Sequence, residues 1–253
     1  MNSTVIGLIS VACVFGGALL GLALQRALPN HHLRPESHEI VKLGAGMIAT
    51  LTALVLGLLV SSAKSSFDAM SEGIVQGGTK IILLDRVLAQ YGPETKVIRQ
   101  KLKRGLAASI EHVWPRARTG VVDLTAYERA NGLELLQTAL RELVPKDDSQ
   151  RQLLTQARQL AADLWQTRWL LIEEAQGQLP VPFLVILLFW LTMLFISFGL
   201  FSPRNATVVT VLFVCACSVS AAIFLVLEMS QPLTGAIKVS DAPLLKALEH
   251  LGR

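Results

Sequence analysis

Charged residues are absent from four long stretches of this 253-residue chain. No Asp, Glu, Lys, Arg or His occurs in residues 5–24, 43–63, 181–201 or 206–227. The whole chain is 17% charged and 52% hydrophobic, which is too apolar for an ordinary soluble domain. Because the charges are confined to the segments between the stretches, the sequence excludes a simple cytosolic enzyme and a disordered tail protein. It indicates a membrane protein with a water-exposed insert.

Cysteine and catalytic motifs are also scarce. The three cysteines, Cys13, Cys215 and Cys217, lie inside apolar stretches, where they are typical small hydrophobes. They exclude a disulfide scaffold and form no zinc pattern. The sequence contains no phosphate-binding glycine loop and no nucleophile elbow, so we expect no enzyme activity and no cofactor. The net charge of +4 is accounted for by basic flanks facing anionic lipid, and no nucleic-acid partner is expected.

Each uncharged stretch is long enough to cross a membrane, since about 20 apolar residues span about 30 Å of hydrocarbon. The first stretch exceeds the apolar core of a signal peptide, about 7 to 15 residues, so we interpret it as a spanning helix. Four spans put both termini and residues 64–178 on one side. Five Lys and Arg residues flank the spans on that side against four on the other, which favours the cytoplasm for the termini.

The predicted fold is an all-α membrane protein with four transmembrane helices and a cytoplasmic helical insert between the second and the third. The insert has apolar residues at helical spacing and lacks the alternation of a sheet. We expect four segments: residues 1–63 with two spans and a short outer loop, the cytoplasmic helical domain 64–178, two further spans in 179–227, and a cytoplasmic tail, 228–253, with a short amphipathic helix.

Breakers and apolar spacing divide the insert into helices. The second span has no breaker at its end, so one helix should continue to Tyr91 and stop at Gly92-Pro93. Further helices should cover residues 98–113, 124–143 and about 149–176, with a tail helix over 243–251; Asp123 and Asp241 should cap two of them. The faces predicted to be buried are Ile98, Leu102, Leu106, Ile110 and Val113 on the first of these helices, and Leu153, Ala157, Leu160, Leu164, Trp165 and Leu171 on the third.

The second span carries a narrow stripe of small residues at spacings of three and four, which places them on one helix face. The stripe consists of Gly46, Thr50, Ala53, Gly57 and Ser61, and it reaches Lys64 one turn later. Small residues let another helix approach closely, which favours a packing seam. Hydroxyls and a terminal ammonium would also suit the wall of an anion path, which is the alternative, so the stripe is a candidate for packing or pore. The first span carries the common contact motif Gly17-x-x-x-Gly21.

Histidine is concentrated in the first linker, at His31, His32 and His38. Imidazoles at this density are candidate metal ligands or a pH-sensitive gate. Pro35 interrupts the run and no His-Glu-x-x-His pattern is present, which favours a solvated loop without metal.

Two other groups of residues each have a structural interpretation and a functional alternative. Lys101, Lys103 and Arg104 form a basic run that is typical of a solvated face, with contact to anionic lipid as the alternative. Trp165 and Trp169 lie one turn apart and favour helix core over an interfacial aromatic belt.

Several blocks of sequence resemble the bacterial bestrophin-like membrane proteins, a family distantly similar to the bestrophin anion channels. The blocks are residues 41–50, VKLGAGMIAT; 53–60, ALVLGLLV; 62–68, SAKSSFD; 82–89, ILLDRVLA, with 91–94, YGPE; and 231–235, QPLTG, with Val239-Ser240. The resemblance covers essentially the whole chain. It implies four spans with a cytoplasmic insert in the plasma membrane of a bacterium.

For activity, the resemblance implies a homo-oligomeric ion channel, with a pentamer as one form, in which the second helices of the subunits line a central pore. The chain departs from true bestrophins in two places. Only Glu228 and Asp241 follow the last span closely, where those channels carry a dense acidic calcium cluster, and residues 43–63 contain no aromatic to narrow a pore. The expectation of channel activity therefore comes from resemblance to a family and not from the chemistry of particular residues.

The leading interpretation is a self-associating multi-pass protein that conducts inorganic anions along the second span. The alternative is a non-conducting membrane scaffold or sensor whose cytoplasmic helical domain binds a partner.

Overall fold

The computed structural model describes residues 3–27, 35–114, 132–176, 181–233 and 235–252, and within these ranges every regular element is helical. The helices are α1 (Ser3–Ala27), α2 (Pro35–Tyr91), α3 (Lys96–Val113), α4 (Gly132–Glu142), α5 (Asp148–Gln176), α6 (Val181–Phe201), α7 (Ala206–Met229) and α8 (Ala242–His250), with a 3-10 turn at Pro93–Thr95 between α2 and α3.

Four of these helices are long and apolar enough to span a membrane. They are Ser3–Ala27, Glu39–Tyr91, Val181–Phe201 and Ala206–Met229. Each contains one of the four uncharged stretches, so the predicted set of candidate spans is confirmed at this level. The first linker, predicted from the uncharged stretches to cover residues 25–42, is shorter, because the first helix extends to Ala27 and α2 already begins at Pro35, a residue suited to the first turn of a helix.

The predicted end of the long helix is confirmed, and its cause is visible in the backbone. Gly92 has φ 135°, a conformation that residues with a Cβ rarely adopt, and Pro93 starts the 3-10 turn. The buried Thr95 hydroxyl donates to the carbonyl oxygen of Gly92 at 2.8 Å. Local chemistry therefore ends α2 and starts α3.

The chain forms two compact units, of which the first comprises Met1–Ser65 and Gln178–Ser230. In this unit α1 packs against α6 and α7. Its buried core consists of Val14, Ala18, Leu187, Leu191, Leu194, Phe195, Leu212, Ala216, Ile223 and Leu227.

Glycines set the distance between α1 and α6. A Cβ on Gly21 would lie 2.1 Å from the carbonyl oxygen of Ile196, and a Cβ on Gly199 would lie 2.1 Å from that of Ala18. Only residues without a side chain allow two backbones to approach this closely. The predicted contact motif of the first span is therefore used inside the chain.

Arg204, in the linker between α6 and α7, caps the C-terminal end of α1. Its Nη2 donates to the carbonyl oxygen of Leu22 at 2.9 Å, and its Nε donates to Oε1 of Gln25 at 2.9 Å. The last carbonyls of a helix have no partner within the helix, and a cation there also matches the helix dipole. The end of α1 and the α6–α7 linker thus lie at the same end of the first unit.

The second unit comprises Ser66–Gly177 and Gln231–Arg253, so the tail folds together with the insert. All five residues predicted for the buried face of α3 are buried. On α5 the buried face is turned by about one residue: Ala157 and Leu164 are buried as predicted, but Leu154, Ala161 and Ile172 are buried more deeply than the predicted Leu153, Leu160, Trp165 and Leu171. Two adjacent apolar stripes run along α5, and spacing alone does not choose between them.

Hydrogen bonds fasten the tail to the insert. Lys103 Nζ donates to the carbonyl oxygen of Leu251 at 2.8 Å, and Trp114 Nε1 donates to that of Val239 at 2.9 Å. Lys101, Lys103 and Arg104 are all exposed, as expected of a solvated face, and Lys103 in addition makes this tertiary contact.

Two smaller predictions also need correction. Trp169 is 48% exposed and makes an edge-to-face contact with Trp165, with ring centroids 6.0 Å apart, so it is not a core residue. Asp241 occupies the N-cap of α8 but its side chain makes no capping hydrogen bond, because its backbone is helical rather than extended.

The predicted helix 124–143 is present as α4, and its first part and Asp123 fall outside the described residues.

Candidate functional site

The stripe predicted on the second span lies on an exposed face of α2. All six of its residues are exposed in the single chain: Gly46, Thr50, Ala53, Gly57, Ser61 and Lys64. A Cβ added to Gly46 or Gly57 would meet no atom of the described chain within 4 Å. The stripe therefore makes no close helix contact of the kind that Gly21 makes, and it is available to a surface outside the chain.

The opposite face of α2 is the one that packs in the first unit. Thr52 and Ala63 are buried, and Ile48, Val55 and Leu59 are half-buried against the core. Even so, only 6% of the most apolar window of this helix is buried, against 28%, 28% and 22% for the other three candidate spans. The most apolar window of α2 is thus the least buried of the four candidate spans.

Large aliphatic side chains flank the stripe. Leu43, Met47, Leu54 and Leu58 are 72%, 71%, 60% and 63% exposed. This combination of small residues and bulky apolar neighbours on one face is suited to lipid or to another apolar helix.

The hydroxyl of Thr50 is already used within the helix. Its Oγ1 donates to the carbonyl oxygen of Gly46 at 3.0 Å. While this bond is made, Thr50 offers a passing ion only its oxygen lone pairs; to donate to an anion, the hydroxyl would have to break the bond by rotating about Cβ–Oγ1. The positive charge of the stripe is therefore supplied by Lys64 alone among its six residues, and it lies at the end of the stripe, one turn after Ser61.

The histidines of the first linker add no site that can be described. His31 and His32 lie outside the described residues, as does the side chain of His38. Within the described ranges, no group of three His, Cys, Asp or Glu side chains could hold a metal ion.

A cavity in the second unit was not predicted from the sequence. It has a volume of about 430 Å³ and is lined by residues of α2, α3 and α5 together with Leu233 and Leu244. The signal that could have indicated it is the pair Gly77 and Gly105, two glycines inside amphipathic helices, where glycine is unfavourable without a reason in packing or function.

A model of the Bestrophin-like domain matches residues 12–244. No curated protein and no solved structure matches the chain. The family match covers α2, which carries the stripe, and every residue that lines the cavity.

Proposed function

The chain belongs to the bestrophin-like family, and from that premise we propose that it assembles as a homo-oligomeric anion channel with α2 lining the path. Members of this family are generally channels rather than enzymes. The observation that carries the proposal is the exposed stripe from Gly46 to Lys64, on the helix whose most apolar window is the least buried of the four.

The proposal explains why this face of α2 is both exposed and rich in small residues. Neighbouring subunits would cover the bulky side of α2, and the small side would leave room for an ion. Lys64 would attract anions to one end of the path, and this attraction would weaken as salt screens the charge. A single copy has too few helices to enclose a polar conduit.

The topology we propose has four spans in the bacterial inner membrane, with both termini and the helical insert in the cytoplasm. Its support is that the tail and the insert form one compact unit. If α6 and α7 span the membrane, they return the chain to the side that it left. Reporter tags placed at the insert, at the α6–α7 linker and at each terminus test this, and a tail and insert on opposite sides would contradict it.

Conduction is tested with purified protein in liposomes that contain a chloride-sensitive fluorophore. We expect chloride flux from the wild type, reduced flux or altered selectivity in Lys64→Glu, and normal flux in Lys96→Glu, which makes the same charge change at an exposed position on α3. Gly57→Leu should obstruct the path or block assembly. Gly16→Leu is its control, because a Cβ there also meets no described atom within 4 Å.

Oligomeric size separates the proposal from its alternative. Size-exclusion chromatography with light scattering should give a multiple of the 27.5 kDa chain. A well-folded monomer, or a well-folded oligomer without flux, would contradict the channel and leave the scaffold or sensor.

A further inference from the structure

The cavity of the second unit has the size and lining of a small-molecule site. Its volume of about 430 Å³ falls in the range of about 300–1,000 Å³ that is typical of ligand pockets. Apolar side chains form most of the wall, among them Met70, Ile74, Leu106, Leu171 and Ile172. A ligand held here would therefore present an apolar body to the protein.

The ionisable groups at the cavity are all basic. Lys101, His112 and Arg168 line it, and no Asp or Glu belongs to the lining among the described residues. Lys80 adds a further positive charge nearby, since its Nζ donates to Oγ1 of the lining residue Thr167 at 2.8 Å. The charge balance complements an anion and disfavours a cation.

Two glycines leave space that any other residue would reduce. Gly77 on α2 and Gly105 on α3 both line the cavity, and a Cβ on either would meet no described atom within 4 Å. By contrast, a Cβ on Gly73 would lie 2.6 Å from Cδ2 of Leu171, so that glycine is explained by packing. Glycine inside a helix is less favourable than alanine. At Gly77 and Gly105 no close packing accounts for this cost, and the open volume does.

We propose that this cavity binds an amphipathic carboxylate, with its aliphatic chain between α2, α3 and α5 and its carboxylate at Lys101 and Arg168. The apolar wall removes the chain from water, and the basic groups provide charge-assisted hydrogen bonds to the head group. The site lies wholly within the second unit, so it does not depend on the conduction proposed for α2. It gives the insert a small-molecule ligand that neither the family match nor the stripe implies.

The experiment uses full-length protein in nanodiscs of zwitterionic lipid, with decanoate as the probe. Decan-1-ol and decyltrimethylammonium serve as neutral and cationic probes of equal chain length. A photoreactive decanoate, mapped by mass spectrometry, should label the lining of α2, α3 or α5, and decanoate should compete far better than the other two. Nanodiscs containing phosphatidylglycerol form a second arm: undiminished labelling there supports a free carboxylate, and its loss would overturn the proposal in favour of a lipid head group.

Matched variants on α3 make the test specific. Lys101→Glu should weaken decanoate binding about ten-fold or more, the loss expected for one charge-assisted contact, while Arg104→Glu should not. Gly105→Leu should abolish binding by filling the cavity, while Ala107→Leu, at an exposed position outside the lining, should leave it intact. Equal competition by all three probes, or binding unchanged in Gly105→Leu, would overturn the proposal.

Discussion

Asp85 and Arg99 form a two-bond ion pair that joins α2 to α3. Arg99 Nε donates to Oδ1 of Asp85 at 2.7 Å, and Nη2 donates to Oδ2 at 2.8 Å. The Asp85 side chain is only 2% exposed, and the N–H of Gly252 also donates to its Oδ2, at 3.2 Å. The hydrogen bond and charge of Asp85 raise the pKa of Arg99 above its already high value. One carboxylate therefore joins the two insert helices and the tail.

Removing Arg99 should strongly destabilise the second unit. Arg99→Ala leaves a buried carboxylate without its main partner, and breaking such a pair costs about 3–5 kcal/mol. Thermal unfolding in detergent should show a markedly lower Tm, with little change in Arg104→Ala on the same helix. The double variant Asp85→Ala/Arg99→Ala should lose less than the two single variants combined, because no uncompensated charge remains. Additive losses would contradict this role.

A single methyl group at Gly21 should disturb the crossing of α1 and α6. Gly21→Ala brings a Cβ to within 2.1 Å of the Ile196 carbonyl oxygen, so the helices must separate. Overpacking of this kind typically costs about 1–3 kcal/mol. Gly16→Ala, on the same helix in open space, should leave the Tm unchanged or raise it slightly, and an equal loss in both variants would show that the crossing does not depend on Gly21.

The ion pair between Glu94 and Lys146 should give the second unit a pH-dependent stability. The hydrogen bond from Lys146 lowers the pKa of Glu94 below its ordinary value of 4.5, and the bond to Glu94 raises the pKa of Lys146 above 10.5. The stabilisation through Glu94 is present above pH 4.5 and is lost as the pH falls through the lowered pKa.

We therefore expect the Tm of Lys146→Met to lie slightly below that of the wild type at pH 7, since the pair is exposed. The difference should shrink on acidification below about pH 4. Lys96→Met, which removes an exposed lysine of α3, controls for net charge. A difference between wild type and Lys146→Met that is independent of pH in this acidic range would contradict the assignment.

The turn after α2 should not tolerate a side chain at Gly92. Its φ of 135° and ψ of −177° lie in a region that is essentially restricted to glycine, and Gly92→Ala should cost about 1–3 kcal/mol. Gly77→Ala, within α2 and in open space, should be neutral or slightly stabilising in the same thermal measurement. A tolerated Gly92→Ala would mean that the backbone relaxes at this turn.

Helix positions could be predicted from the sequence because their causes are local. The length of uncharged runs identifies the candidate spans, and Gly92-Pro93 ends α2 by backbone conformation alone. The buried face of α3 was predicted fully, since this helix has a single apolar stripe and its opposite side is polar. On α5, Leu153 and Leu154 are adjacent in sequence and equally apolar. Which of them is buried depends on the residues that pack against the helix.

The same distinction between local causes and long-range packing applies to the candidate sites. The spacing of Gly46, Thr50 and Gly57 predicts a shared face, but not whether another helix of the same chain covers that face. The contact of Lys103 with Leu251 joins residues far apart in sequence, and no local pattern predicts it.

The sequence by itself determined four apolar helices, a long second helix and the stripe on its surface, because hydrophobic runs, helical periodicity and backbone breakers act over a few residues. The tertiary structure decided that the tail folds onto the insert, that a cavity opens among α2, α3 and α5, and that the stripe stays exposed. The physical reason is that burial and charge pairing depend on which distant segments meet, and that is fixed only when the whole chain packs.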